Sequence, residues 1–385
     1  AIRFTGFTEV WEQRKVGDFA KESNILGHTG IEAKKLTVKL HCKGVEEATE
    51  AQSGSCNTRY YVRRAGQFIY GKQNFFNGAI GIVPKNLDKY ESTKDVPAFD
   101  LDSSVDVEWL YYFMSRPEFY KSIESECTGT GSKRFHIDNF YLIELSTTQI
   151  NEQRKIAVFF TNLNHLITLH QRKCDKLQAI KKGLLAKMFP ANNESTPKIR
   201  FKGYTEAWEQ RNVSNLMEVG SVKRIHQSDW TNNGVRFLRA RDIVAFHNGE
   251  EINDPLYISN EKYDEYSLIS GKVKINDLLV TGVGTIGIPM LISSKKPLYF
   301  KDGNVIWLKN NNSVNGKFLY YSFDSNKIKA FINNESGIGT VGTYTINSCK
   351  NTPLDIPSNA EQEKIGNLFK NLDHLITLHQ RKCEK

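Results

Sequence analysis

The sequence predicts an α+β protein built twice: two globular α+β bodies separated by two long helices paired as an antiparallel coiled coil, with an internal pseudo-twofold repeat. Three observations carry this. NLNHLITLHQRKCDK at 162–176 returns as NLDHLITLHQRKCEK at 371–385, with thirteen of fifteen residues identical at an offset of 209. IRFTGFTEVWEQRKV at 2–16 returns as IRFKGYTEAWEQRNV at 199–213, with eleven of fifteen identical at an offset of 197. WLYYFMS, RFHID and EQRKI (109–115, 134–138, 152–156) return as FLYYSFD, TYTIN and EQEKI (318–324, 343–347, 361–365). Each copy therefore runs opening segment, divergent body, closing segment, helix. The expected division is 1–147 for the first body, 148–190 for a central helix, 191–357 for a linker and second body, and 358–385 for a final helix.

The bodies read as short strands with some helix. YVRRAGQFIY and GAIGIVP in the first, and GVRFLRARDIV, KINDLLVTGVGTIGIPMLI and GNVIWLK in the second, alternate apolar and polar residues between glycine turns. VEWLYYFMSRPEFYKSIES and GKFLYYSFDSNKIKAFINN read as helices. The central helix has apolar residues stepping by three and four at Ile156, Phe160, Leu163, Ile167, His170, Cys174, Leu177, Leu184 and Met188. The final helix repeats the seam at Ile365, Phe369, Leu372, Ile376, His379 and Cys383. Asn151, Thr147 or Thr148 can cap the first, and Ser358 with Glu361 opens the second. Pro190 ends the central helix, and ANNESTPK (191–198) is a linker. A helix of some 38 residues is roughly 57 Å long and needs a partner along its seam. The final helix lacks counterparts to KLQAIKKGLLAKMF, so it is expected to be cut short. The missing initial Met likewise suggests a trimmed start.

Charge is unevenly spread. The net charge of +9 divides into −1 for residues 1–147, +6 for 148–190, +3 for 191–357 and +1 for 358–385. A basic balance invites a nucleic-acid partner, yet the excess lies mainly on the central helix rather than the bodies. No run of eighteen apolar residues occurs, so no transmembrane helix is expected. Six scattered cysteines without a CxxC pair fit a reducing, cytoplasmic setting.

Several motifs invite chemistry. Gly282, Gly284 and Gly287 fit G-x-G-x-x-G, but a dinucleotide turn must open a helix, and Ile288-Pro289-Met290 continues as a strand. His170 with Cys174, and His379 with Cys383, could offer four zinc ligands across paired helices; packing within the seam is the favoured reading, and no metal is assigned. Asp18 with Glu32 and Lys34 only loosely follows a nuclease pattern. No phosphate-binding G-x4-GK-S/T, methyltransferase Asn-Pro-Pro-Tyr/Phe or serine elbow is present, which moves weight from enzyme to binder.

Basic and aromatic residues cluster in the bodies. Arg59, Tyr60, Arg63 and Arg64 are followed by Lys72 and Asn74; Lys133 and Arg134 close the first body. In the second body stand Lys223, Arg224, Arg239 and Arg241, with Arg239 and Arg241 expected on one strand face beside Phe237. Thr281, Thr285 and Thr343 flank the glycine-rich stretch and the closing segment. Arginine can pair bidentately with a purine edge, and lysine or a hydroxyl can hold a phosphate. A solvated surface is the bland alternative for each residue taken singly.

The order of IRFxGxTExWEQR, a variable region, a closing stretch before IDNF or INSC, then EQxKI and NLxHLITLHQRKC resembles the specificity subunit of type I restriction-modification systems over essentially the whole chain. The resemblance implies two target recognition domains, each reading half of a bipartite double-stranded DNA site across a gap set by the helices. It implies two methyltransferase subunits docked on the helical region, around Ile156, Phe160, Leu163, Ile167 and Leu177 of the first copy and Ile365, Phe369, Leu372 and Ile376 of the second. Those partners would supply S-adenosylmethionine, and restriction (motor) subunits would join to cleave. The chain itself would catalyse nothing and hold no cofactor. The rivals are a coiled-coil protein-binding adaptor without DNA readout and a nucleotide-using enzyme built on Gly282–Gly287.

Overall fold

The computed structural model describes residues 3–30, 32–49, 56–129, 133–336 and 342–384, the side chain of Glu384 excepted. It forms two compact units, residues 1–166 and 167–385. The fold is mixed α and β, and each unit carries the same frame.

In the first unit the frame is a four-stranded antiparallel sheet in the order β2 (Ala20–Glu22), β10 (Ala98–Leu101), β7 (Phe68–Tyr70), β8 (Ile80–Ile82). In the second it is β13 (Glu218–Gly220), β20 (Val305–Lys309), β17 (Leu278–Thr281), β18 (Pro289–Leu291), again antiparallel. Both sheets are buried on both faces, and strand alternation sorts the side chains. Phe68, Tyr70 and Phe99 enter the main core of the first unit, while Ile69 and Ala98 enter a smaller one with Leu36 and Val83. Leu278 and Val280 enter one core of the second unit, while Leu279 and Trp307 enter another with Phe237 and Phe300. One face thus packs on frame helices and the other on an insert peculiar to that unit.

The inserts differ. The first unit has β3 (Leu26–Thr29), β6 (Arg59–Val62) and β9 (Glu91–Ser92) in one small sheet, and β4 (Leu36–Val38) with β5 (Val45–Glu47) as a ribbon. The second has a sheet β14 (Trp230–Thr231), β16 (Leu256–Ile258), β15 (Val235–Leu238), β19 (Leu298–Phe300), plus helices α5 (Ala240–Asn248) and α6 (Asn260–Ser270).

The frame helices are α1 (Val107–Met114), α2 (Pro117–Ser122), α3 (Ile137–Leu142) and the start of α4 (Ile150–Lys187) in the first unit. Their counterparts are α7 (Gly316–Phe323), α8 (Asn326–Glu335), α9 (Ile346–Lys350) and α10 (Asn359–Glu384). The single helices expected at 107–125 and 316–334 are each broken. Pro117 begins a new helix because its ring forbids continuation from Ser115–Arg116. Ser325 caps α8, its hydroxyl accepting from the Ile328 amide. The strand expected through Arg241 stops at Leu238, and α5 starts at Ala240, so Arg239 and Arg241 do not share a strand face with Phe237.

Matching ties hold each frame to its long helix. The opening strands β1 (Glu12–Lys15) and β12 (Glu209–Asn212) pair antiparallel with β11 (Glu144–Thr147) and β21 (Pro353–Ile356), the strands just before α4 and α10. Arg3 grips Glu152 at 2.6 and 2.7 Å, and Arg200 grips Glu361 at 2.7 and 2.8 Å, each a bidentate pair on a buried carboxylate. The Gln153 carboxamide oxygen accepts from the Asp106 amide at 2.9 Å, and Gln362 accepts from the Asn315 amide at the same distance. These are the caps of α1 and α7.

Within the second unit, residues 167–187 of α4 run antiparallel to α10. His170 meets His379 at 2.9 Å between Nδ1 atoms, and Lys181 pairs with Asp373 at 2.6 Å. Leu177, Leu184 and Phe189 pack into the core that holds Phe369 and Leu372. The paired helices are thus present, and α4 has the expected 38 residues.

Candidate nucleic-acid interface

The first unit gathers its cations around two short loops. Arg59 and Arg64 are exposed at either end of β6 and the turn after it. Lys72 lies half-buried, and burial lowers its ammonium below the ordinary lysine value, with Glu22 and Asp95 opposing and Lys94 and Arg134 adding to the fall. Arg134 reaches toward Asp95 at 3.6 Å, while its buried Nε has no protein partner. Lys72, Lys94 and Arg134 thus gather three cations around the acids Glu22 and Asp95, leaving one positive charge in excess where a phosphate could be held. Lys133 pairs with Glu124 at 2.7 Å on the exposed side of this loop. Asn74 accepts from the Asn77 carboxamide at 3.1 Å and closes its own turn.

Two residues chosen here are internal to the insert. Arg63 is about 1% exposed; it donates to the Ser92 hydroxyl at 2.7 Å, the Ser23 carbonyl at 2.7 Å and the Val96 carbonyl at 3.1 Å. Burial pushes its guanidinium down to about 10, so it stays charged at neutral pH and serves as an internal tie. Tyr60 is buried beneath the Lys35 ammonium, 5.5 Å from its ring centre. Neither reaches solvent to meet a base.

In the second unit Lys223 lies exposed over Tyr266 at 4.7 Å, joined on the same ring by Lys262 at 4.6 Å. Arg224 is exposed and bonded to Asp302 at 2.9 Å. Arg239 is pinned by Asp242 and Asp254, and Arg241 also bonds Asp254, whose carboxyl Arg239 holds below the usual carboxylate range. The pair orders the start of α5; Arg241 alone keeps most of its surface. Thr281 is buried, donating to the Thr285 carbonyl at 2.5 Å and accepting from the Ile288 amide at 2.9 Å. It locks the turn between β17 and β18, leaving Thr285 exposed at the tip. Thr343 is exposed beside that turn, since the next amide, of Tyr344, donates to the Gly282 carbonyl at 2.8 Å. The turn needs its glycines: Gly284 has a φ of +72°, and a Cβ on Gly287 would press within 2.9 Å of Ile332. It joins two antiparallel strands and opens no helix, so the strand reading of G-x-G-x-x-G holds.

A cleft of about 700 Å³ in this unit lies between the insert and the frame, with Arg236, Lys296, Lys317 and Lys370 among its lining and Phe246, Met290 and Tyr320 as apolar wall. Residue type alone did not single out Lys94, Lys262 or Lys296, because each becomes significant only beside Lys72, Tyr266 or the cleft.

The family model described as "Type I restriction modification DNA specificity domain" matches residues 205–385. A curated relative from Methanocaldococcus jannaschii, "Type I restriction enzyme MjaVIII specificity subunit", is 23% identical over 98% of this chain and 89% of its own length. Residues 205–385 belong to the type I restriction-modification specificity family, and the chain resembles specificity subunits along nearly its whole length. A specificity subunit is the non-catalytic, DNA-recognising component of such a system. Two solved structures share the fold. One, the "Type-I restriction-modification system S subunit from M. genitalium", has a TM-score of 0.53 at 14% identity, covering 99% of this chain and 94% of that one. The other comes from work on "complex assembly" and "conformational transition of the type I R-M system", with a TM-score of 0.51 at 13% identity, covering 98% and 94%.

The repeated His and Cys residues lie in the seam between α4 and α10. The Cys174 thiol is buried and raised by burial, and Cys383 Sγ contacts the Ile167 carbonyl at 3.8 Å. Among the described residues no three His, Cys, Asp or Glu side chains gather as a metal site. Nor is any helix among them long and apolar enough to cross a membrane. The seam residues divide: Ile365, Phe369, Leu372 and Ile376 are buried and Leu177 packs on their core, but Phe160 and Leu163 face solvent, with Ile156 and Ile167 intermediate.

Proposed function

We propose that this specificity subunit reads a bipartite double-stranded DNA target, one half-site per unit, and that two methyltransferase subunits dock on its helices. The observation that carries the reading is one frame built twice around unlike inserts. A frame that presents itself identically to partners has reason to stay constant, whereas inserts that read different bases must differ. The exposed leucines support double docking: Leu166 and Leu169 on α4 recur as Leu375 and Leu378 on α10, at the same offset of 209 and all exposed. The methyltransferase partners supply S-adenosylmethionine, restriction subunits complete the assembly, and the complex works on DNA in the cytoplasm. Base contacts come from the exposed Arg59, Arg64, Lys133, Lys223, Arg224, Arg241, Thr285 and Thr343, with the half-buried Lys72, Asn74 and Arg134 beside them. The near-neutral first body gives the isolated chain weak DNA affinity, with tight binding reserved for the complex.

The test is to co-express the chain with a methyltransferase subunit encoded beside it and map N6-methyladenine across the host genome. A two-part motif with a fixed gap, present only when this chain is present, is the expected result. A continuous motif would overturn the bipartite reading; a stable complex that methylates nothing would remove the reader role.

A further inference from the structure

We infer that His28 is a specificity-determining residue of the first unit, an imidazolium posed by Glu91 to donate from Nε2 to the major-groove edge of a guanine in the half-site that this unit reads. The inference rests on the proposed reading of DNA and deepens it, because it names a reader outside the basic and aromatic clusters.

Three features of the first insert converge on this one side chain. The first is a β-bulge. Leu26 lies opposite Tyr61 and Thr29 opposite Arg59, so three steps along β3 meet two along β6. The extra residue falls at Gly27-His28, and a bulge re-aims the side chain it carries. The second is Glu91 on β9, the strand on the other side of β6, with about 2% of its surface exposed. One oxygen of its carboxylate accepts from the His28 amide at 2.7 Å, and the other accepts from His28 Nδ1 at 2.6 Å. A single carboxylate thus fixes both the main chain and the ring of one residue. The third is Gly27. A Cβ there would collide with that carboxylate, so glycine is what lets Glu91 come this close.

The result is a fixed ring with a free edge. The His28 side chain keeps 59% of its surface exposed, while that of Glu91 keeps 3%. A carboxylate only accepts, so Nδ1 carries a proton and Nε2 is left for a ligand. An enclosed carboxylate is stable beside a positive charge, which favours the imidazolium. The bond to Glu91 raises His28 above the ordinary imidazole value; the charge of Glu91 and that of Glu32 act the same way, and desolvation opposes them. The other charged residues on neighbouring segments are Arg59, opposite Thr29, and Lys34 and Lys35, whose backbones meet Glu91. Nε2–H is therefore a preset cationic donor. Guanine is the base whose major-groove edge offers two acceptors and no donor. A ring held at two points can tell one base edge from another, which a phosphate contact does not require. Ile25 and Leu26, just before it, are 39% and 62% exposed, so apolar surface adjoins the donor as it does on a base edge.

The test uses the chain assembled with its methyltransferase subunits, on duplexes carrying the motif that the genome map defines. Methylation rates are compared for that duplex and for duplexes with one base pair replaced, so the ratio cancels the pH dependence of the methyltransferase itself. Two variants separate the roles. His28→Asn keeps a side-chain N–H where Nδ1 stands, so Glu91 stays paired, and deletes the outer nitrogen. It should lower discrimination at a single guanine by about tenfold and leave the other positions alone. In Glu91→Gln the carboxamide oxygen keeps the His28 amide and the NH2 faces Nδ1, so the ring proton moves to Nε2 and the donor persists without charge. The parent should lose discrimination at that guanine as pH rises from about 6 to about 9, while Glu91→Gln keeps it. Neither variant leaves a buried group unpaired, so both should melt near the parent. A motif left unchanged by His28→Asn, while the parent complex methylates a two-part site, overturns this inference and leaves the DNA reading standing. Equal slowing at every site would make His28 a phosphate contact and overturns the base assignment. Parallel pH profiles for the parent and Glu91→Gln overturn the role given to Glu91. A parent complex that methylates no site removes the inference together with the DNA reading.

Discussion

The stretches NLNHLITLHQRKC and NLDHLITLHQRKC are almost the same sequence in two different surroundings. In the second unit Phe369 and Leu372 are buried by α7 and by the later turns of α4. In the first, Phe160 and Leu163 occupy the same helical positions and face solvent. Periodicity names the face of a helix that can be buried; what covers that face is decided by segments distant in sequence. The helical pattern was therefore equally strong in both copies, and only one copy has its complete neighbourhood among the described residues.

The sharpest way to break this comparison is to truncate both aromatic residues. Phe369→Ala removes a fully buried ring and leaves a cavity, so it should cost about 3–5 kcal/mol in denaturant unfolding. Phe160→Ala removes an exposed ring and should cost about 1 kcal/mol or less. Equal losses would show that the two environments are not different in solution.

The clamps sharpen the comparison from the other side, because here the units agree. Glu361 and Glu152 are both buried and both gripped by an arginine, with the Arg200 side chain 14% exposed and Arg3 28%. Removing one partner strands a buried carboxylate. Arg200→Met should cost about 3 kcal/mol, and Arg3→Met somewhat less because its clamp is wetter. The sign with pH follows from Glu152, whose carboxyl Arg3 holds below its usual range. Its contribution is present above the ordinary carboxylate pKa and lost as pH falls through the lowered one, so Arg3→Met should flatten the acid limb of stability. An unchanged limb would remove the clamp from the account.

What was legible in the sequence follows the same division. The frame was legible because it is written twice: the opening and closing segments and both long helices each had a second copy to confirm their register. The inserts were not. Arg239 and Arg241 looked like strand residues because the alternation VRFLRAR continues past Leu238; what ends the strand is Asp242, which accepts from the Arg239 amide at 2.8 Å and starts α5. Arg63 looked like a reader because arginine between aromatic residues suits a nucleic acid. Its burial depends on carbonyls of Ser23 and Val96, which no local pattern foretells. The closing glycine-rich residues 130–132 and 337–341, Ser132 among them, lie outside the described residues.

The smallest expected effect concerns the residue through which the two repeats meet. His170 and His379 are the same position of the repeated fifteen residues, and their Nδ1 atoms lie 2.9 Å apart. One imidazole must donate and the other accept, so at least one is neutral while the bond stands. His379 is held below the ordinary imidazole value by desolvation first, then by Lys173 and His170 on α4 and Lys382 on α10. A base whose pKa is lowered by folding binds its proton more readily when unfolded. The helix pair should therefore lose stability as pH falls through and below about 6.5, the unfolded value, and be indifferent to pH well above it. Thermal melts at pH 7.5 and 5.5 on the parent and on the double variant His170→Leu with His379→Leu measure this. The parent should lose more of its melting temperature than the variant across that interval. Equal losses would mean that the histidines meet without a shared proton and that the junction of the repeats is held by its leucines alone.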